Sequence, residues 1–512
     1  MKKYNLEIGK SHKNQITING ESVVSKTYFD TTSKLYLKAL RTLDKDVQEQ
    51  FDKHSKSKYK SFYWCLTYDI HRDDGIKDTV INYFLIYLVK HFINMGEVRV
   101  VYYYSPDNII LHYLKNIDNV FIDIRVKLSS KIRRSVRNSL GPLKVLRKYS
   151  AEALSRTHQE NIIFSKIGNK QLFLTNIDNS NSRWKGYPYS LNLKKNTGYF
   201  IDVDLSRCKS IDTKQEFKIK LFTFHSFRKA FFQTFRVFKE SKQFTSKNKS
   251  IFSAAIKQQS FLQYLTVLWR FQAWQELFNI HNITDIHVMT TFGDPFKRLA
   301  LSVAKIAGIE GHIFACRPYL SEYRSEDRLI AADKDVNSMC QIPNDIIVLD
   351  DYSKKQLDRS GVSSKVYNPL NNQVKYTAEG GLLLLFTDHT FNTRLIELIE
   401  QLDYKHLKIY IRKHPLAGLE INLQNKLDTM GFEIIDLDPY AWSELHFKNV
   451  LTFSANSTSG LDAVKRGCDL LWLPFFSQNF LMFAGYASDT GKVVYSEDEC
   501  IRLVDEYFSI KL

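Results

Sequence analysis

Cysteine is sparse and scattered: Cys65, Cys208, Cys316, Cys340, Cys468 and Cys500 are the only six in 512 residues, and none stands in CxxC spacing. That pattern argues against a thiolate zinc site and a disulfide scaffold, and predicts a reducing, cytoplasmic setting. No apolar segment follows Lys2 and Lys3, so no secretory signal is expected. The most apolar helical stretch, Val80 to Met95, is interrupted by Lys90 and His91 and is too short to span a bilayer. A Gly-rich phosphate loop, paired metal carboxylates and a GxSxG elbow are also missing, which disfavours P-loop NTPases and serine hydrolases. No internal repeat or low-complexity tract is evident.

What is present is a large apolar and aromatic complement with an excess of cations. Hydrophobic residues make up 44% and aromatics 13%, enough to fill two cores in a chain longer than one core normally supports. Lys and Arg number 72 against 55 Asp and Glu, a formal charge of +17. Two regions concentrate it. Arg125, Lys127, Lys131, Arg133, Arg134, Arg137, Lys144, Arg147 and Lys148 follow one another with no acid between them. Between Lys214 and Lys242, Lys218, Lys220, Arg228, Lys229, Arg236 and Lys239 interleave with a series of phenylalanines from Phe217 to Phe238. Such a mixture suits an anionic membrane surface, a polyanionic glycan or a nucleic acid, the last being weakest because no nucleic-acid-binding module accompanies it. A solvated basic face over a Phe-rich core explains the phenylalanines equally well.

Alternating strand-like and helix-like patterns predict an α/β fold with two Rossmann-like domains. Residues 1–60 read as a polar N-terminal extension. The first domain, 61–330, opens with a strand over Phe62 to Tyr68, a helix from about Lys77 to Met95, and strands at Val98 to Tyr104 and Val120 to Ile124. A basic insertion of weaker periodicity covers about 150–250. Helix Ser260 to Ile280, strand Asp285 to Thr290, helix Pro295 to Ala307 and strand Gly311 to Ala315 then resume the sheet. The polar stretch Glu322 to Asn344 is the expected linker, and 331–512 form the second domain. Trp269 and Trp274 on one helix read as core.

Two stretches in that second domain carry the chemistry. Ile411-Arg412-Lys413-His414-Pro415 and Phe453-Ser454-Ala455-Asn456-Ser457-Thr458-Ser459-Gly460-Leu461-Asp462 each follow a β-rich apolar run and precede a helix-like pattern. Both therefore lie at the carboxyl ends of parallel strands, where α/β proteins bind ligands. Thr387-Asp388-His389 is expected on the same edge. Arg412, Lys413 and His414 offer cationic or hydrogen-bonding groups, and the Ser/Thr-rich turn opens a helix whose unpaired N–H groups can hold a phosphate. Helix capping and a structural turn explain the same residues without a ligand. In the first domain, Tyr68-Asp69-Ile70-His71-Arg72-Asp73-Asp74-Gly75 supplies candidate bases, with acidic turn and cap as the plain alternative. Gly293-Asp294-Pro295, Arg317, Tyr319, Tyr323 and Arg324 are positional candidates for the acceptor side.

In their order, Asp73-Asp74-Gly75, Lys413-His414-Pro415 and Ser457-Thr458-Ser459 resemble the motifs of bacterial sialyltransferases, polysialyltransferases and Kdo transferases of two-domain GT-B architecture. Thr458 stands where that family usually has adjacent serines. The resemblance implies two Rossmann-like domains facing across a cleft and an inverting, metal-independent glycosyltransferase of surface polysaccharide or lipopolysaccharide. It implies a CMP-activated ulosonic acid as donor, a glycan or lipid-linked glycan as acceptor, no cofactor and no metal. Under it, Asp73 is the base, with Asp69 a rival by position and Asp74 beside them, and His414 donates to the leaving phosphate. Arg412, Lys413, Pro415, Ser454, Asn456, Ser457, Thr458, Ser459, Asp462, Thr387 and Asp388 line the donor site. Contact with the inner face of an anionic membrane is expected to be peripheral. An Arg-x-His-Pro element with a Ser-rich turn also resembles teichoic-acid-type glycerol- or polyol-phosphate polymerases, for which His312 after Gly311 is the comparable further histidine. The reading from another class is a non-catalytic basic scaffold for membrane or glycan.

Overall fold

The computed structural model describes residues 2–9, 15–54, 75–103, 108–125, 142–151, 153–154, 170–175, 198–202, 207–210, 216–218, 222–246, 259–280, 283–289, 295–314, 345–348, 351–359, 363–366, 376–385, 389–402, 407–412, 421–430, 433–434, 445–455, 459–476, 487 and 490–511. Two compact units emerge, one gathering Leu35–Tyr367 and the other Asn368–Leu512 together with Asn14–Lys34. The fold is α/β and its sheets are largely parallel, as the alternation of patterns predicts.

A five-stranded sheet has the order β3-β2-β1-β4-β5, built from β1 (Lys2–Ile8), β2 (Ile16–Ile18), β3 (Glu21–Ser22), β4 (Gly96–Tyr102) and β5 (Val120–Ile124). Helices α1 (Phe29–His54), α2 (Gly75–Ile93) and α3 (Asn108–Lys115) accompany these strands in the chain. The expected polar extension is therefore structured: Leu6, Ile8, Ile16 and Ile18 are buried, and alternate residues of β1 supply the apolar face that a polar average conceals. Farther on, the Phe29 ring packs edge-on against Tyr495 at 5.6 Å, and the segment Asn14–Lys34 groups with the second unit.

The eight-stranded sheet runs β13-β12-β11-β10-β6-β7-β8-β9. Its members are β6 (Lys170–Thr175), β7 (Gly198–Asp202), β8 (Arg207–Ser210), β9 (Glu216–Lys218), β10 (Ile283–Met289), β11 (Glu310–Phe314), β12 (Asp345–Val348) and β13 (Lys365–Val366). β6 pairs in parallel with β10, so residues read as an insertion contribute a central strand, three further strands and a helix. Weak periodicity there reflects a strand buried on both faces, Leu172, Phe173 and Leu174 all being sealed. β12 and β13 extend this sheet rather than opening the second domain, because His312, Ile313 and Phe314 pair with Asp345, Ile346 and Ile347. Between β9 and β10 lie α4 (Phe224–Ser246) and α5 (Phe261–Ile280), and α6 (Pro295–Ile306) and α7 (Asp351–Arg359) follow. Trp269 and Trp274 on α5 are core residues, Trp269 donating from Nε1 to the Ser226 hydroxyl at 3.0 Å.

The second unit holds a six-stranded, wholly parallel sheet in the order β16-β15-β14-β17-β18-β19. These are β14 (Tyr376–Leu385), β15 (Ile409–Arg412), β16 (Glu433–Ile434), β17 (Leu445–Ser454), β18 (Asp469–Trp472) and β19 (Lys492–Val493). Counted from β14, the order is 3-2-1-4-5-6, the arrangement of dinucleotide-binding sheets. β14 is sealed on both sides, Leu382 to Leu385 being at most 1% exposed. Leu382 and Leu384 join one core with Leu395, Ile399 and Leu398 of α8 (His389–Gln401) and Val504 and Phe508 of α11 (Glu497–Lys511). Leu383 and Leu385 join the opposite core with Ala463 of α10 (Ser459–Lys465). Strand alternation thus assigns helices to both faces, and α9 (Ile421–Met430) completes the connections. Lower down, Gly380 and Gly381 have φ of 65° and 127°, and a Cβ on Gly381 would meet the Lys408 carbonyl oxygen at 2.1 Å.

Candidate functional site

Strand order sets the location. The chain leaves β14 toward β15 on one side and returns to β17 on the other, so helices lie on opposite faces and the carboxyl ends of these strands form a topological switch point, the position at which open α/β sheets bind ligands. Register aligns that edge: Leu385 of β14 is the partner of Arg412, and Leu384 is the partner of Phe453, one residue before Ser454. The last residues of three adjacent strands are thus in line.

Arg412 ends β15 and is only 6% exposed. Its Nη1 donates to the Ser459 hydroxyl oxygen, linking the end of β15 to the first residue of α10, across β14. The two motifs, 47 residues apart in sequence, meet in this bond. Holding a guanidinium away from water is costly unless its donors are engaged, and a planar fork of N–H groups at a sheet edge is suited to a phosphate or carboxylate.

The start of α10 is pressed onto the strand that precedes it. A Cβ on Gly460 would lie 3.1 Å from Ser454 Cβ and 3.3 Å from its Oγ, so glycine permits the close approach. Ser454 itself is fully buried, and its carbonyl accepts from the Leu473 N–H at 2.9 Å. At the other end α10 closes with Gly467 at φ 97°, Cys468 N–H donating to Ala463 and Gly467 N–H to Val464. The helix has 7 residues, so its dipole is weak and the side chains of Arg412 and Ser459 carry more of the site's polarity than the helix axis does. Asp462 is half-buried and opposes the burial that pushes the Arg466 guanidinium down to about 10, an i,i+4 partnership on α10 that gives Asp462 a structural task.

Of the residues expected here, the structure brings Arg412, Ser454, Ser459 and Asp462 to one edge. Lys413, His414, Pro415, Asn456, Ser457, Thr458, Thr387 and Asp388 lie outside the described residues, as do Asp69, Asp73 and Asp74. Gly293, Asp294, Arg317, Tyr319, Tyr323 and Arg324 are also outside them. His312 lies inside β11 at 5% exposure, within a strand rather than in a loop near a glycine. What the sequence does not announce is the direct pairing of Arg412 with Ser459. The available signal is an Arg ending one strand and a Ser opening the helix after another, but only strand order makes them neighbours.

The cations divide. Lys127, Lys131, Arg133, Arg134 and Arg137 lie outside the described residues, while Arg125 joins Arg99 in binding Asp123, each at 2.9 Å. α4 is described throughout its packed length: Ser226, Ala230, Thr234, Val237 and Ser241 form its buried stripe, whereas Phe224, Phe232 and Phe235 are more than half exposed. Arg228, Lys229, Arg236 and Lys239 share that outer side. Among the described residues no helix is long and apolar enough to cross a membrane.

No family model and no curated protein matches the sequence. Solved structures to which the chain is similar include a UDP-N-acetylglucosamine 2-epimerase, at 12% identity over 66% of this chain and 87% of the other, with a TM-score of 0.35. An alpha,alpha-trehalose-phosphate synthase (UDP-forming) from Burkholderia vietnamiensis is matched at 10% identity over 67% of this chain and 92% of the other, with a TM-score of 0.32. A UDP-glucosyltransferase from Polygonum tinctorium is matched at 12% identity over 46% of this chain and 70% of the other, with a TM-score of 0.29.

Proposed function

We propose that the chain is a metal-independent glycosyltransferase whose second unit holds a nucleotide-activated sugar at the carboxyl edge of the six-stranded sheet. The observation that carries this reading is the bond from Arg412 to Ser459, which sets a guanidinium and a hydroxyl together where β14, β15 and β17 end. A leaving phosphate needs such donors fixed in place before charge develops on it. In this reading His414, two residues beyond Arg412, donates to that phosphate, Ser457, Thr458 and Asn456 extend the cradle, and Asp462 accepts from ribose. Asp73 or Asp69 takes the acceptor proton. A single phosphate suits one guanidinium, one imidazole and one short helix, which favours a CMP-linked ulosonic acid destined for surface polysaccharide.

The glycerol- or polyol-phosphate alternative shares Arg412 and the Ser-rich turn but loses its further histidine, because His312 is sealed within β11. An acceptor borne on lipid fits the outer side of α4, where exposed phenylalanines interleave with cations. Each Lys or Arg near an anionic bilayer adds about 1 kcal/mol, and aromatic rings enter the headgroup boundary.

Thermal shift of the full chain with CMP, CDP, UDP and GDP tests the reading. At 100 times its dissociation constant a ligand stabilises by about 2.7 kcal/mol. CMP or CDP is expected to give the largest shift, weakened in Arg412→Lys, which keeps the charge and loses the fork. Preference for UDP or GDP overturns the CMP donor, and no shift with any nucleotide overturns the transferase.

A further inference from the structure

We infer that Asp285, His287 and His312 form a binding site for one divalent transition-metal ion of the zinc class, on one face of the eight-stranded sheet. Asp285 and His287 are two apart on β10, so both side chains leave the same face. Parallel register sets His287 opposite His312 and Asp285 opposite Glu310, which adds an imidazole and a second carboxylate to that face. The candidate ligand atoms of Asp285, His287 and His312 all lie within 4.8 Å of one another. His312 Nε2 is 3.5 Å from Asp285 Oδ1 and 3.8 Å from Glu310 Oε2.

The surroundings sort these groups from sealed to open. His287 is 1% exposed and His312 5%. Phe173 of β6 stacks on His287 at 4.5 Å, and His287 stacks on His312 at 4.6 Å, their planes 9° and 12° apart. That ladder encloses the pair on the Phe173 side. Toward solvent the carboxylates take over, Asp285 at 21% and Glu310 at 63% side-chain exposure, which leaves an entry path.

Two neutral imidazoles and a carboxylate are the donor set of zinc and its neighbours, and would hardly suit magnesium or calcium. Tetrahedral ligation with bonds of about 2.1 Å brings donor atoms to roughly 3.4 Å apart, and because each imidazole nitrogen ligates in its ring plane, binding turns the two rings out of their parallel stack. Glu310 or water fills the fourth position. Bound there, the ion ties β10 to β11 next to the central strand β6. A His–Asp contact with stacked rings, and no ion, is the competing account.

The test uses the full chain, stripped with chelator and titrated with Co²⁺, followed by visible absorption, metal analysis after desalting, and melting temperature. One equivalent of Co²⁺, displaced by Zn²⁺ and raising the melting temperature, is expected. Affinity should fall at least about tenfold in Asp285→Asn. His312→Gln should remove stoichiometric binding. Should His312→Gln fail to fold, Asp285→Asn at the half-open rim decides. Absence of saturable binding to the folded wild type, or unchanged affinity in Asp285→Asn, overturns the site and leaves the stacked His–Asp contact.

Discussion

Arg412 and His287 are both buried polar side chains on parallel strands, yet they stand in opposite situations. Arg412 is the last residue of its strand and reaches sideways to the helix that follows another strand. His287 sits within its strand, enclosed by a phenylalanine on one side and an imidazole on the other. At a strand end the backbone leaves the sheet, so a buried cation faces loops that a ligand can enter. Within a strand, neighbouring strands close both flanks, and a polar group must find its partners in register. The same sheet architecture therefore places one buried polar side chain at an edge and the other inside, and position along the strand decides between them.

If the edge is a donor site, the largest effect should come from outside it. Asp73→Asn or Asp69→Asn, made separately, should cost roughly 10²–10⁴-fold in turnover for whichever is the base, with nucleotide affinity kept. Equal, mild losses from both would reduce these acids to a turn and a cap. Next in size, Arg412→Lys should weaken nucleotide binding by about tenfold, or about 1.4 kcal/mol, while His287→Gln in folded protein leaves it unchanged. A nucleotide affinity that follows His287 rather than Arg412 would break the comparison.

The basic helix gives a smaller, salt-dependent effect. Replacing Phe232 and Phe235 with Ser should release the protein from anionic vesicles without lowering its melting temperature, because both rings are more than half exposed. Binding should weaken with salt, since charges are screened beyond about 8 Å at physiological strength. Vesicle sedimentation that ignores both substitution and salt would return α4 to a solvated face.

The smallest effect at neutral pH concerns a buried group with no assigned chemistry. Burial pushes the Cys500 thiol up to about 12, whereas an unfolded thiol ionises near about 8.5. The folded state then binds more protons than the unfolded state between those values. Cys500 should therefore cost stability as pH rises from about 8.5 toward 12, and have no such effect below that window. Denaturant midpoints of wild type and Cys500→Ala across this range check it; parallel profiles would refute it.

Much of the element order was legible. Val120 to Ile124 and the helix ending at Ile280 emerge where their periodicity puts them, because apolar spacing is a local property. The N-terminal residues were less so: Lys, Ser and Asn dominate the average, while the alternation burying Leu6 and Ile8 is short. The segment around Lys170 to Thr175 was misread as insertion for the opposite reason, since a strand buried on both faces shows little alternation. Of the candidate site, both strand-end motifs were visible, and their union through Arg412 and Ser459 was not. The outward phenylalanines of α4 were open to two readings, because helical spacing alone does not say which stripe meets a neighbour.

By itself the sequence determined many of the strands and helices, that glycine would stand at 460 and 467, and that an Arg and a run of hydroxyls would end two strands. Those properties rest on side-chain period and backbone freedom, which act over a few residues. Only the tertiary structure decided that β6 lies beside β10, that His287 faces His312, and that β14 separates Arg412 from the helix it binds. Strand order and register are set by burying whole faces against one another. No stretch of chain contains that information alone.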